Sequence, residues 1–144
     1  MKIARTGSAA WSGGLKDGKG TISTESGALA GHPYGFATRF EGVRGTNPEE
    51  LLGAAHAACF TMALSLILGE AGLAATKMDT TAKVTLEKLD DGFAITAVHL
   101  TLRAQVPGTD QAAFAALAEK AKAGCPVSKV LKAAHITLDA TLAA

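Results

Sequence analysis

The feature that most constrains this chain is an unbroken run of 18 residues, Leu51 to Leu68, that carries no formal charge. As a helix such a run would be about 27 Å long, which suits either the lower edge of a bilayer span or the core of a small protein. Its contents favour the core. The run holds His56, Thr61, Ser65 and five alanines, starts directly after Glu49 and Glu50, and lacks basic or aromatic interfacial flanks. A helix apolar on all sides and buried in a soluble core is therefore expected. Asn47-Pro48-Glu49-Glu50 starts it, with an N-cap side chain, Pro at the first helical position, acids that match the dipole and Glu50 placed for a capping box. The helix should end near Ala71, with Gly72 as a left-handed stop.

The remaining segments alternate between strand and helix signals. Residues 2–11 and 20–25 carry β-compatible residues separated by glycines, as in a hairpin or meander. Residues 26–46 are rich in turn formers, but Tyr34 to Phe40 alternates and places Arg39 on or beside a strand. Asp79 to Lys88 and Phe93 to Gln105 flank Asp90-Asp91-Gly92, a hairpin signal. An Ala-rich helix from about Asp110 to Ala123 breaks at Gly124-Cys125-Pro126 and resumes through Lys132. His135 to Leu142 alternates as a last strand. Strands around one long buried helix, with no internal repeat or linker, define an α+β fold, and 144 residues suit a single domain over 1–144.

Charge balance narrows the partners. Fourteen Lys and Arg against 13 Asp and Glu leave no net field for a nucleic-acid backbone or an anionic membrane, so neither partner is expected. The first residues carry bases but no apolar stretch behind them, which points to a cytoplasmic location. There, two cysteines do not form a disulfide framework and are more often catalytic or metal-binding than structural.

Cys59 sits in the middle of the uncharged helix, where a small core hydrophobe is the ordinary reading. Cys125, between Gly and Pro at a helix junction, stands to gain from a helix dipole and nearby amide donors that favour thiolate. His56 and Cys59 lie three apart on one helix face, which fits a Cys-His catalytic pair or two metal ligands. A structural zinc site wants four ligands, and His32, His99 and His135 have scattered spacings, so no metal or other cofactor is expected. A hydrolase would also want an oxyanion hole and an orienting group that the sequence does not announce, which leaves His56 as a helix-packing or capping-type polar residue.

Several segments together resemble the OsmC branch of the OsmC/Ohr family. They are Thr38-Arg39-Phe40-Glu41-Gly42, Gly45-Thr46-Asn47-Pro48-Glu49-Glu50-Leu51, Ala54-Ala55-His56-Ala57-Ala58-Cys59-Phe60 and Ala121-Lys122-Ala123-Gly124-Cys125-Pro126-Val127-Ser128. The resemblance extends over essentially the whole chain, including Gly20 to Gly27. It implies a two-layer α+β fold, an intertwined homodimer and a peroxidase that prefers organic hydroperoxides. It also implies site residues: Cys59 as peroxidatic cysteine, Cys125 as resolving cysteine, Arg39 and Glu49 as polar partners that activate Cys59. An external dithiol would restore the enzyme, and the Ohr proteins suggest a lipoyl group for that part.

Elementary chemistry agrees with these roles. The attacking species at a peroxide oxygen is thiolate, and a guanidinium both favours it and polarises the peroxide. A carboxylate such as Glu49 can hold that guanidinium in one orientation. Read without the resemblance, Arg39 and Glu49 are a surface ion pair and a helix-start acid. Glu49 and Cys59 are ten residues apart, about 15 Å along a straight helix and about 80° around it. Two antiparallel copies of the helix would bring Glu49 of one chain near Cys59 of the other, at two equivalent sites. Other function classes remain open at this point: a redox-sensing small-ligand binder without turnover, and a Cys-His hydrolase that depends on His56.

Overall fold

The computed structural model describes residues 1–143, which form two compact units, Met1–Leu51 and Leu52–Ala144 with Ala144 itself outside the description. In the first unit, β1 (Gly7–Ser12), β2 (Lys19–Thr24) and β3 (His32–Tyr34) form an antiparallel sheet in the order β1-β2-β3. The expected hairpin is present, although residues 2–6 stay outside it. Gly20 lies under the paired rings of Trp11 and Tyr34, whose centroids are 5.4 Å apart, and a Cβ there would stand 2.4 Å from the Tyr34 ring.

The strand expected over Tyr34 to Phe40 is not formed beyond Tyr34. The segment turns at Gly35 into a short helix, α1 (Phe36–Phe40), which carries Arg39. The reason is local hydrogen bonding: the Gly35 N–H donates to Thr38 Oγ1 at 2.9 Å, and the same hydroxyl donates back to Gly35 O at 3.0 Å. Thr is a good local partner for a turn's backbone, and this exchange outweighs the alternation of apolar residues.

α2 (Pro48–Glu70) is the long helix, and the unit boundary falls within its first turn. Asn47 caps it by accepting from the Glu50 N–H at 2.8 Å. Glu50 does not complete the expected capping box; its carboxylate takes the Asn47 side-chain amide instead of the backbone N–H. At the other end Gly72 has φ +74°, the Leu73 N–H reaches Leu68 O at 2.8 Å, and the Gly72 N–H reaches Gly69 O at 3.0 Å. That is the left-handed stop the sequence indicates, with both bonds of a Schellman motif.

In the second unit β4 (Lys77–Leu89) and β5 (Gly92–Gln105) form the expected hairpin, and β6 (His135–Leu142) pairs with β5 in parallel. Alternate residues Val98, Leu100, Leu102 and Ala104 of β5 are buried, so one face of this sheet is the core face. Against it pack Phe60, Leu64 and Leu68 of α2 together with Phe114, Ala118 and Ala121 of α3 (Gln111–Gly124). At Gly53 the approach of α2 to β4 is so close that a Cβ would stand 2.9 Å from Ala82 O, which only glycine tolerates. A sheet backed by α2 and α3 thus makes the scaffold of this unit.

α2 differs from the helix expected in one respect. Its buried residues, Gly53, His56, Phe60, Leu64 and Leu68, form one stripe at spacings of three and four, while Met62 and Leu66 are 76% and 66% exposed. The sequence is apolar all round, but the single chain covers one side. By length and composition α2 could also cross a membrane.

Candidate functional site

The sequence singles out two sets of residues, and each is assembled within one unit. In the second unit, α3 ends at Gly124 and α4 (Pro126–Val130) begins at Pro126, so Cys125 alone occupies the junction, in an extended conformation with φ −60° and ψ 126°. It closes α3 through its own N–H, which donates to Ala121 O at 2.9 Å, and opens α4 through its carbonyl, which accepts from Lys129 N–H at 3.1 Å. Proline at the first position of α4 costs no hydrogen bond there and enforces the break. Cys125 is fully buried and packs in the core.

Cys59, half-buried on α2, packs against the cluster that holds it, close enough for Cys125 to influence its ionisation, and both thiols are free. A residue on a mid-chain helix and one 66 positions later are thereby brought together. Burial pushes the Cys59 thiol up from its ordinary value, and the hydrogen bond with Cys125 and the charge that Cys125 would carry push the same way. The Val127 N–H, in the first turn of α4, donates to the Cys59 sulfur and opposes them. An amide donor at that turn, expected to serve Cys125, thus acts on Cys59.

One turn before Cys59 on α2, and one turn after Cys125 on α4, stands a second pair. His56 Nε2 and Ser128 Oγ are 2.7 Å apart, with both residues buried. His56 Nδ1 is buried without a hydrogen-bond partner. Burial lowers the His56 pKa, which keeps the ring neutral. His56 is thus a packing residue, as the sequence indicates, with a specific partner. Ser128 was not singled out from the sequence; its one signal is that it trails Cys125 by three residues, as His56 precedes Cys59 by three.

In the first unit, Arg39 and Glu49 form a forked ion pair. Arg39 Nη2 donates to Glu49 Oε1 at 2.8 Å, and Nε lies 3.2 and 3.3 Å from the two carboxylate oxygens. The side chains are 35% and 13% exposed. The loop between them is pinned by Thr46 Oγ1, which donates to Pro33 O at 2.7 Å, and by Asn47 Nδ2, which donates to Thr38 O at 3.4 Å. Beside Arg39, Trp11, Leu15, Tyr34, Phe36 and Phe40 line a cleft of about 200 Å³, and the Phe40 ring lies 5.5 Å from the guanidinium carbon. A cleft of this kind offers a hydrocarbon wall next to a fixed positive charge. Among the described residues no group of three or more His, Cys, Asp or Glu is arranged to hold a metal ion.

Comparison with known proteins shows what the chain as a whole is similar to. The family model of OsmC-like proteins matches residues 40–140. The peroxiredoxin OsmC of Escherichia coli K12 is 63% identical over 139 residues, 96% of each chain. An organic hydroperoxide resistance protein of Xanthomonas axonopodis is 34% identical over 100 residues, 69% of this chain and 68% of its own. The crystal structure of the organic hydroperoxide resistance protein OhrB of Bacillus subtilis superposes with a TM-score of 0.68 at 26% identity, covering 94% of this chain and 98% of that one. An organic hydroperoxide resistance protein from Elizabethkingia anophelis gives 0.73 at 27% identity, covering 99% and 100%.

Proposed function

This chain belongs to the OsmC family, and from that premise we propose that it reduces organic hydroperoxides through Cys59 as the peroxidatic thiol and Cys125 as the resolving thiol. It is a thiol peroxidase, in line with the peroxiredoxin and hydroperoxide-resistance relatives. The observation that carries the two-cysteine reading is the proximity of the free Cys59 and Cys125 thiols. The Cys59 thiolate attacks the distal peroxide oxygen, the O–O bond breaks, and the alkoxide leaves as an alcohol once protonated. Cys59 is then sulfenic acid. The Cys125 sulfur attacks that sulfur, the S–O bond breaks, and hydroxide departs with the thiol proton as water. An external dithiol reduces the resulting disulfide, for which a lipoyl group is the candidate.

Burial holds Cys59 toward the neutral thiol, so the attack needs a cation to favour thiolate and to polarise the peroxide. Arg39 supplies it, with Glu49 fixing the plane of the guanidinium at some cost to its field. A homodimer completes the proposal: antiparallel α2 helices across a two-fold axis bring Arg39 and Glu49 of one subunit to Cys59 of the other. What supports it is the uncovered apolar side of α2, where Met62 and Leu66 are exposed in the single chain. The enzyme is proposed to work in the cytosol, where both thiols stay reduced between turnovers.

The test is peptide mapping of the non-reduced protein after one equivalent of hydroperoxide. An intrachain Cys59–Cys125 disulfide is expected; free thiols or only interchain bridges would exclude the two-cysteine mechanism. Cys59→Ser abolishes turnover, and Cys125→Ser allows one reaction before overoxidised Cys59 accumulates. Organic hydroperoxides are expected to outperform hydrogen peroxide in kcat/KM, since an alkyl group buries area worth roughly 25 cal/mol per Å². Equal efficiency in matched steady-state assays would count against an apolar substrate wall.

A further inference from the structure

The His56–Ser128 pair has no part in the chemistry described so far, yet it occupies a particular place. It joins α2 to α4, the helix that Cys125 caps, and stands three residues before Cys59 and three residues after Cys125. Three residues are close to one helical turn, so the two pairs lie on neighbouring levels of one helix–helix contact. α4 is only five residues long and follows a break at Cys125. A helix that short does not hold itself together or in place, because its few internal hydrogen bonds do not offset the cost of nucleation. Its position comes from what grips it. The one side-chain hydrogen bond described between α2 and α4 at an oxygen or nitrogen is that of His56 with Ser128.

The pair is also kept at a cost. His56 Nδ1 is buried without a partner, and an apolar residue would avoid that penalty. Leucine at this position would satisfy the core alone. An imidazole held neutral by burial, with Nε2 directed at a hydroxyl, instead fixes a direction as well as a distance.

We propose that His56 and Ser128 are positioning residues for the resolving step: their hydrogen bond clamps α4 to α2 so that Cys125 faces the Cys59 sulfur when sulfenic acid forms. The inference rests on the two-cysteine reading above. Condensation requires the Cys125 sulfur to approach along the line opposite the departing S–O bond, and a displacement of about 1 Å can cost up to about a hundredfold in such a step. Peroxide attack on Cys59 uses no side chain of α4, and the Val127 amide that favours its thiolate lies at the start of α4, ahead of Ser128, so loosening the clamp falls mainly on the second half-reaction.

The experiment uses the full chain with Ser128→Ala and Ser128→Thr, mixed rapidly with tert-butyl hydroperoxide. Loss of the Cys59 thiol and appearance of the disulfide are followed separately by quenching with a thiol alkylator and with dimedone. Ser128→Ala is expected to leave the attack rate within about twofold and to slow disulfide formation about tenfold, with dimedone-reactive Cys59 accumulating. Excess peroxide should then overoxidise Cys59 sooner. Ser128→Thr keeps the hydroxyl and should restore the second step. Where the single alanine variant fails to fold, the double variant His56→Leu with Ser128→Ala removes both polar partners at once and should show the same selective slowing. Equal slowing of both steps, no slowing of either, or no rescue by threonine would overturn the clamp. Absence of the disulfide in the unsubstituted protein would instead overturn the two-cysteine reading and the clamp with it.

Discussion

The cysteine pair and the arginine–glutamate pair are opposite in almost every physical respect. Cys59 and Cys125 lie in or against an apolar core, and burial holds Cys59 toward the neutral thiol. Arg39 and Glu49 form an ion pair that reaches solvent and is held by hydrogen bonds of a loop and a five-residue helix. The proposed nucleophile is therefore kept where ionisation is discouraged, and the charge that would ionise it is kept where hydration makes charge inexpensive. A buried thiol of this kind is protected from chance oxidation, since reactivity follows thiolate character and exposure. Reaction would begin only where the two environments are combined.

The largest break in that comparison comes from Arg39. Arg39→Ala should lower kcat/KM for tert-butyl hydroperoxide by about 10²–10³-fold, the usual cost of removing one preorganised charge-stabilising donor. The same variant should move the pH midpoint of Cys59 alkylation upward, because burial is then unopposed by a cation. An unchanged midpoint would separate Arg39 from the thiol. Glu49→Gln should cost less, about tenfold, since an amide still accepts one hydrogen bond but does not fix the fork. Stability should change by less than about 1 kcal/mol, as for other exposed pairs. Co-refolded Glu49→Ala and Cys59→Ser subunits should recover part of the activity, because one site of such a heterodimer carries neither lesion. Verified heterodimers without activity would remove the shared site.

A smaller effect sharpens the apolar side of the comparison. Burial lowers the His56 pKa below its ordinary 6.5, so the unfolded chain binds the extra proton first as pH falls. The stability contributed by neutral His56 is complete above about pH 6.5 and is lost progressively below it. Tm should therefore drop on going from pH 7.5 to 5.5, and His56→Gln should flatten that drop relative to the unsubstituted protein. A parallel pair of Tm curves would show that the imidazole does not titrate with unfolding.

What the sequence determined by itself was whatever rests on short-range signals. The cap at Asn47, the stop at Gly72, the hairpin around Asp90-Asp91-Gly92, the break at Cys125 and the last strand all depend on residues within a few positions, and all are present as read. The family motif likewise made Cys59, Cys125, Arg39 and Glu49 legible as candidates, though not their environments. Where two local signals competed, the weaker-looking one prevailed: Thr38 bonding to Gly35 turned an alternating segment into α1 and put Arg39 on a helix. Only tertiary structure decided which side of an all-apolar α2 is covered, that β6 runs parallel to β5, and that His56 meets Ser128 72 residues away. Those choices are made by contacts between distant segments, whose closure costs entropy that no local pattern records and whose return appears only once the core has packed.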